Sequence, residues 1–189
     1  MKAGRSALAA FVGFLMILGG SAPAEGQHVM KPTESLGFGS GELTVAGTYS
    51  DRSLDNRMNI NGRLTIGLPK RVDIFAEGVL MEDPLLGGGF SYQILDSVVE
   101  ASLFGKILFP MEDGLDSTDR IYTAAALVGA GFATVDVWGG VEYSRTMGED
   151  ITSFLAGTRL SLLVLPFAVV AETGLGQDNR ISFGLSMRF

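Results

Sequence analysis

The sequence predicts an all-β fold: a closed antiparallel transmembrane β-barrel of about ten strands, with eight as the alternative. Three observations carry this prediction. Apolar and polar residues alternate with a period of two along most of the chain, the spacing that puts successive side chains on opposite faces of a strand. Beyond the first two dozen residues no run reaches the roughly 18 consecutive apolar residues a membrane helix needs, although 47% of the chain is hydrophobic. The chain also begins with the three parts of an export signal.

Lys2 and Arg5 open that signal, an apolar core runs from Ala7 to Leu18, and Ser21, Ala22 and Ala24 supply the small residues a signal peptidase needs. Cleavage is expected after Ala24, making residues 1–24 a signal peptide. The alternative is an uncleaved anchor, and the short core with its Gly-rich end argues against it. Cleavage removes two basic residues and no acidic one, leaving 165 residues with 12 Lys+Arg against 21 Asp+Glu, a net charge of −9. Phosphate neutralisation needs a basic patch, so no nucleic acid is expected as a partner. The absence of Cys excludes a disulfide framework, a thiolate nucleophile and a lipidated cysteine anchor. The remaining length suits one domain. Residues 25–40, rich in Gly and Ser, read as a flexible N-terminal leader, and 41–189 as the barrel.

The strands follow in order. Leu43, Val45 and Tyr49 oppose Glu42, Thr44 and Thr48. The clearest alternation runs from Arg57 to Leu68, with Met58, Ile60, Leu64, Ile66 and Leu68 on one face and Arg57, Asn59, Asn61, Arg63 and Thr65 on the other. Val72, Ile74, Ala76 and Leu80 then oppose Asp73 and Glu77, and Phe90, Tyr92 and Ile94 oppose Ser91 and Gln93. Val99, Ala101, Leu103, Ile107 and Phe109 face away from Glu100, Ser102 and Lys106. From Ile121 to Phe132 both faces are apolar or small, so a strand is inferred from its neighbours without a register. Val135, Val137, Val141 and Tyr143 oppose Asp136, Trp138 and Glu142. Phe154, Ala156, Leu160 and Leu162 oppose Ser153, Arg159 and Ser161. Phe167, Val169, Ala171 and Leu175 oppose Glu172, and the last strand sets Ile181, Phe183, Leu185, Met187 and Phe189 against Ser182, Gly184, Ser186 and Arg188. Each has about the ten residues that cross a bilayer when tilted.

The connections alternate in length. Tight turns are read at Pro69-Lys70, Asp96-Ser97, the Gly131 region and Val164-Leu165-Pro166. Longer polar loops are read at 51–56, 82–86, 110–119, 145–150 and 177–179. Short periplasmic turns and longer outer loops are the layout of a bacterial barrel.

At the C-terminus, Ile-Ser-Phe-Gly-Leu-Ser-Met-Arg-Phe carries apolar residues at every second position, Phe183, Leu185, Met187 and Phe189 among them. This segment, residues 181–189, resembles the C-terminal assembly signal of bacterial outer-membrane barrels. In size and layout the chain resembles the small eight- to ten-stranded members of that group, the OmpA, OmpX and OmpW size class. The resemblance implies outer-membrane localisation, recognition by the barrel-assembly machinery, and outer-membrane lipid and lipopolysaccharide as surroundings.

Cost decides which face meets lipid, because Arg or Lys on the lipid face at the midplane costs about 2–4 kcal/mol. The charged face is therefore expected inside, forming a lumen network of Glu42, Arg57, Arg63, Asp73, Glu77, Glu100, Lys106, Asp136, Glu142, Arg159, Glu172 and Arg188. Outward aromatics at Tyr49, Phe90, Tyr92, Phe109, Tyr143, Phe154, Phe167 and Phe189 suit interfacial girdles, and Trp138 falls on the inward face.

Catalysis finds no support in the residues. The one histidine, His28, lies in the leader, beyond reach of any strand nucleophile. The acidic loop with Glu112, Asp113, Asp116 and Asp119 matches no EF-hand spacing, and it reads as a solvated loop that meets divalent ions at the lipopolysaccharide surface. Gly87-Gly88-Gly89 lacks the Lys and helix of a phosphate loop and reads as a flexible lead-in to a strand. No cofactor, metal or catalytic residue is expected. Two roles remain: a structural or surface-interaction protein with a polar, plugged lumen, or a narrow channel for small solutes. A soluble lipocalin-like barrel would require the faces to be inverted.

Overall fold

The computed structural model describes residues 34–50, 58–81, 84–111, 120–146, 149–162, 166–177 and 179–189. Residues 1–24, expected to be a signal peptide, His28, Arg57 and the acidic loop 112–119 lie outside them. Ten strands form, β1 (Gly41–Ser50), β2 (Met58–Leu68), β3 (Val72–Leu80), β4 (Leu85–Leu95), β5 (Glu100–Pro110), β6 (Ile121–Phe132), β7 (Val135–Thr146), β8 (Glu149–Ser161), β9 (Phe167–Gly176) and β10 (Arg180–Arg188). Each pairs antiparallel with its chain neighbours, and β1 pairs with β10, so the sheet closes on itself. Closure leaves no edge of unpaired N–H and C=O groups, the condition for a sheet in hydrocarbon.

The period of two fixes the faces. In β2, Arg63 and Thr65 are buried while Leu64 and Ile66 are exposed; in β3, Asp73, Phe75 and Glu77 alternate with exposed Ile74 and Ala76. The pattern repeats in β5 to β10. Large apolar side chains cover the outside, among them Met58, Phe90, Leu103, Val128, Phe154 and Phe183, whereas ionisable side chains are buried inside. Such a surface is stable only in lipid. The fold is therefore a transmembrane barrel, and the lipocalin-like alternative, which needs the opposite faces, is excluded.

The register that the sequence leaves open in β6 is set by its partners. Lys106 pairs with Thr123 and Glu142 with Ala125, which sends Ile121, Thr123, Ala125 and Leu127 inward and Tyr122, Ala124 and Val128 outward.

Three expectations about connections and glycines are corrected. The β6–β7 turn is Ala133-Thr134, with Ala133 at φ 49°, while Gly131 pairs with Asp136 inside the ladder. Arg145 and Asp150 likewise belong to the β7–β8 ladder, where they pair, so only residues 147–148 separate these strands. Gly87, Gly88 and Gly89 are not a lead-in but the middle of β4, paired to both neighbours. A Cβ on Gly87 would strike the Ile107 carbonyl, and one on Gly89 the Gly105 carbonyl and the Phe75 ring. Close strand approach, not flexibility, selects these glycines. The described part of the leader, residues 34–40, is hydrogen-bonded to the barrel. Gly39 N–H donates to Gly67 C=O at 3.1 Å, Gly67 N–H donates to Ser40 C=O at 2.9 Å, and Ser35 Oγ donates to Asp73 at 3.0 Å.

Gly89→Val places a branched side chain against that carbonyl and the Phe75 ring. Overpacking of this kind costs about 1–3 kcal/mol, so the variant should unfold at lower urea in lipid vesicles. An unchanged midpoint would mean that β4 has room the geometry denies it.

Candidate functional site: the lumen

The inward side chains stack in layers along the barrel axis. At the end away from the termini, Val79, Leu85, Leu108 and Ile121 form an apolar cap against which Met81 packs. Beneath it lies an ionic layer. Glu77 on β3 accepts from Arg63 Nε on the adjacent β2 at 2.9 Å and, across β4, from Lys106 Nζ on β5 at 2.8 Å, joining three strands. Across the lumen, Arg180 on β10 donates to both carboxylate oxygens of Glu142 on β7, each at 2.9 Å. Neutral groups tie the layer together: Thr48 bonds Ser182 at 2.9 Å, and Asn61 donates to Thr48 at 3.2 Å.

Below this layer the lumen becomes apolar again, with Ala46, Phe75, Phe104, Ala125, Leu127, Trp138, Leu155 and Val170 in one cluster. Phe75 and Phe104 stack with centroids 5.1 Å apart. The Arg63 guanidinium lies 4.6 Å from the Phe75 centroid and 5.2 Å from that of Phe104, a cation–π contact that joins the ionic layer to the apolar one. The inward Trp138 donates its indole N–H to Glu172 at 3.3 Å.

The end nearest the termini holds a second ionic group. Arg188 Nε donates to Glu42 at 3.0 Å, and its terminal nitrogens reach Glu34 at 3.1 and 3.2 Å. Arg159 stands 3.2 Å from Glu42 and 4.0 Å from Asp136. Asp73 accepts from Ser35 Oγ at 3.0 Å, Leu36 N–H at 3.2 Å and Ser91 Oγ at 3.3 Å.

Of the residues expected in the network, Glu42, Arg63, Asp73, Glu77, Lys106, Glu142, Arg159 and Glu172 are buried in the lumen. Glu100, Asp136 and Arg188 are half-buried near the ends of their strands, and Arg57 lies outside the described residues. Two participants escaped the sequence reading. Arg180 falls between the loop read at 177–179 and the strand read from Ile181, yet it shares the parity of Ser182, which is the signal that marks it inward. Glu34 lies in the leader, where period-two reasoning does not apply. The outward aromatics Tyr49, Phe90, Tyr92, Phe109, Tyr143, Phe154, Phe167 and Phe189 are all exposed. In the C-terminal segment Phe183, Leu185 and Phe189 are exposed and Met187 half-buried. Phe189 exchanges two 2.9 Å backbone hydrogen bonds with Gly41, and a Cβ on Gly41 would collide with the Phe189 ring.

Among the described residues, no group of three or more His, Cys, Asp or Glu is arranged to hold a metal ion. The ionic layer away from the termini, together with Glu172, sets Arg63, Lys106 and Arg180 against Glu77, Glu142 and Glu172, three charges of each sign.

No protein-family model matches this chain, and no curated protein matches it. Solved structures do. A designed transmembrane β-barrel is 15% identical, with a TM-score of 0.39 over 80% of this chain and 97% of its own. A second design, TMB2.3, is 19% identical, with a TM-score of 0.37 over 81% of this chain and 96% of its own. Ail, the attachment invasion locus protein of Yersinia pestis, is 11% identical, with a TM-score of 0.36 over 80% of this chain and 99% of its own.

Glu77 serves two cations, so its removal leaves more uncompensated charge than removal of either partner. Glu77→Ala should destabilise the barrel by about 3–5 kcal/mol, the cost of breaking a buried pair, and by more than Arg63→Ala, which leaves Glu77 with Lys106. Urea unfolding in vesicles measures both; a larger effect for Arg63→Ala would contradict the shared-carboxylate geometry.

Proposed function

We propose that this chain is a non-enzymatic bacterial outer-membrane β-barrel with a structural or surface-interaction role, whose lumen is plugged and conducts nothing. The observation that carries the reading is the filled interior: two ionic groups separated by the cluster around Phe75, Phe104 and Trp138, and capped by Val79, Leu85, Leu108 and Ile121. An ion crossing such a path must shed water against apolar side chains and break paired charges, each step costly. Export by a signal peptide cleaved after Ala24, assembly through Phe183, Leu185, Met187 and Phe189, and contact with lipopolysaccharide belong to the same reading.

Refolded protein in planar bilayers should give no unitary conductance steps. Arg63→Ala should be less stable and equally silent. A stable Arg63→Ala barrel with altered ion selectivity would overturn the plug and establish a narrow channel.

On fractionation the mature chain should sediment with outer membranes, begin at Glu25 and shift its gel mobility on boiling, as a closed barrel resists detergent. Deleting Phe189 should reduce the heat-modifiable band. Recovery in the soluble periplasm, or an unchanged band without Phe189, would count against localisation and assembly respectively.

A further inference from the structure

The lipid-facing wall is not uniformly ridged. Across β4 to β7 its outward positions include Gly88, Gly105 and Ala124, three small residues on adjacent strands, because Phe90 pairs with Gly105 and Gly105 with Ala124. Phe90, Ile107, Tyr122 and Tyr143 stand around them and enclose an apolar groove of about 360 Å³, within the size range of small-ligand sites. It lies in the half of the barrel away from the termini: Tyr122 is the second residue of β6, and Tyr143 is three residues from the end of β7.

Two cations stand over that end of the groove. Arg145 pairs in register with Tyr122 and is 61% exposed. Arg120 precedes β6 and lies 5.5 Å over the outward Phe109 ring. The acidic groups facing them from the adjoining strand are Glu149 and Asp150. Asp150 accepts from the Tyr143 hydroxyl at 2.7 Å and lies 3.7 Å from Arg145. So exposed an ion pair holds Arg145 weakly, and a phosphate, which a guanidinium grips with two parallel hydrogen bonds, competes with it.

We infer that this groove binds one lipopolysaccharide molecule, an acyl chain of its lipid A lying over Gly88, Gly105 and Ala124 and its phosphates meeting Arg120 and Arg145. Hydrocarbon is what surrounds the groove in a membrane, and an apolar trough with Arg120 and Arg145 beside its end complements a phosphorylated lipid of the leaflet on the loop side. The choice of lipopolysaccharide rests on the proposed outer-membrane localisation; the groove and its cations do not.

A Cβ on Gly105 meets the Phe90 ring at 3.4 Å and no backbone atom closer than 3.9 Å, so Gly105→Leu projects its side chain into the groove. On another part of the wall a Cβ on Gly62 meets nothing within 4 Å, and Gly62→Leu is the matched control. Native mass spectrometry of the detergent-solubilised full barrel, titrated with diphosphoryl lipid A, phosphate-free lipid A or phosphatidylglycerol, reads the binding. Wild type should retain one diphosphoryl lipid A in preference to the other two. Gly105→Leu should weaken retention about tenfold or more, and Arg120→Gln with Arg145→Gln by a similar factor, the scale of a hydrogen bond to a charged group, while erasing the preference over phosphate-free lipid A. Gly62→Leu should match wild type. Boiled and unboiled gels identify folded variants, and the arginine pair, which fills no space, serves if Gly105→Leu does not fold. Equal retention by wild type and the arginine variant, or equal losses in Gly105→Leu and Gly62→Leu, would overturn the site. Preference for phosphatidylglycerol would overturn lipopolysaccharide as the occupant. These readouts use purified barrel, so failure of the localisation appears separately, in the fractionation.

Discussion

Charge in this molecule has only one place to go. A sheet surrounded by hydrocarbon must pair every backbone group with another strand, which the β1–β10 ladder completes, and it must present an apolar outer face. Apart from Arg145, Glu149 and Asp150 at the strand ends away from the termini, the charged residues along the described strands share one interior, too narrow at ten strands for each group to keep a full hydration shell. Pairing is the consequence. Glu77 takes Arg63 and Lys106, Glu142 takes Arg180, and Glu42 takes Arg159 and Arg188. Buried ion pairs of this kind contribute little net stability compared with apolar residues of the same volume. What they supply is register: a one-residue slip of a strand that carries such a charge turns it to lipid, at about 2–4 kcal/mol for each Arg or Lys near the midplane.

That same constraint explains how far the sequence could be read. Strand number, closure and the inward direction of eight network residues follow from alternation, because one face carries charge and the other cannot. Where both faces are apolar or small the signal vanishes, as in Ile121–Phe132, whose register depends on what Lys106 and Glu142 require of their neighbours. The inward Phe75, Phe104, Val79 and Leu108 have the right parity but the wrong chemistry for a polar lumen, so the apolar layers inside the barrel were not legible. Gly87 to Gly89 misled for a different reason. Glycine marks both flexible turns and close strand contacts, and only the positions of Ile107 and Gly105 across the ladder separate the two.

The apolar layers change the meaning of the ionic ones. A lumen lined only by charges would hydrate, and its pairs would be screened and exchangeable. With Phe75, Phe104, Leu127 and Trp138 on one side and Leu108 and Ile121 on the other, the Arg63–Glu77–Lys106 group is buried, where unpaired charge is expensive and paired charge is rigid. The Arg63 guanidinium over the two stacked rings makes the boundary between layers attractive rather than merely tolerated.

The end nearest the termini is built differently, and the leader belongs to it. There, among the described residues, Glu34, Glu42 and Asp136 share Arg159 and Arg188, three carboxylates to two guanidiniums. Asp73, 1% exposed, is supplied with hydrogen-bond donors by Ser35 and Leu36. A carboxylate in this position needs donors wherever it can find them. The chain just before β1 is the nearest source, because pairing of β1 with β2 brings Ser40 against Gly67, six residues from Asp73. A segment that composition marks as a spacer is thus recruited into the fold by the charge it passes.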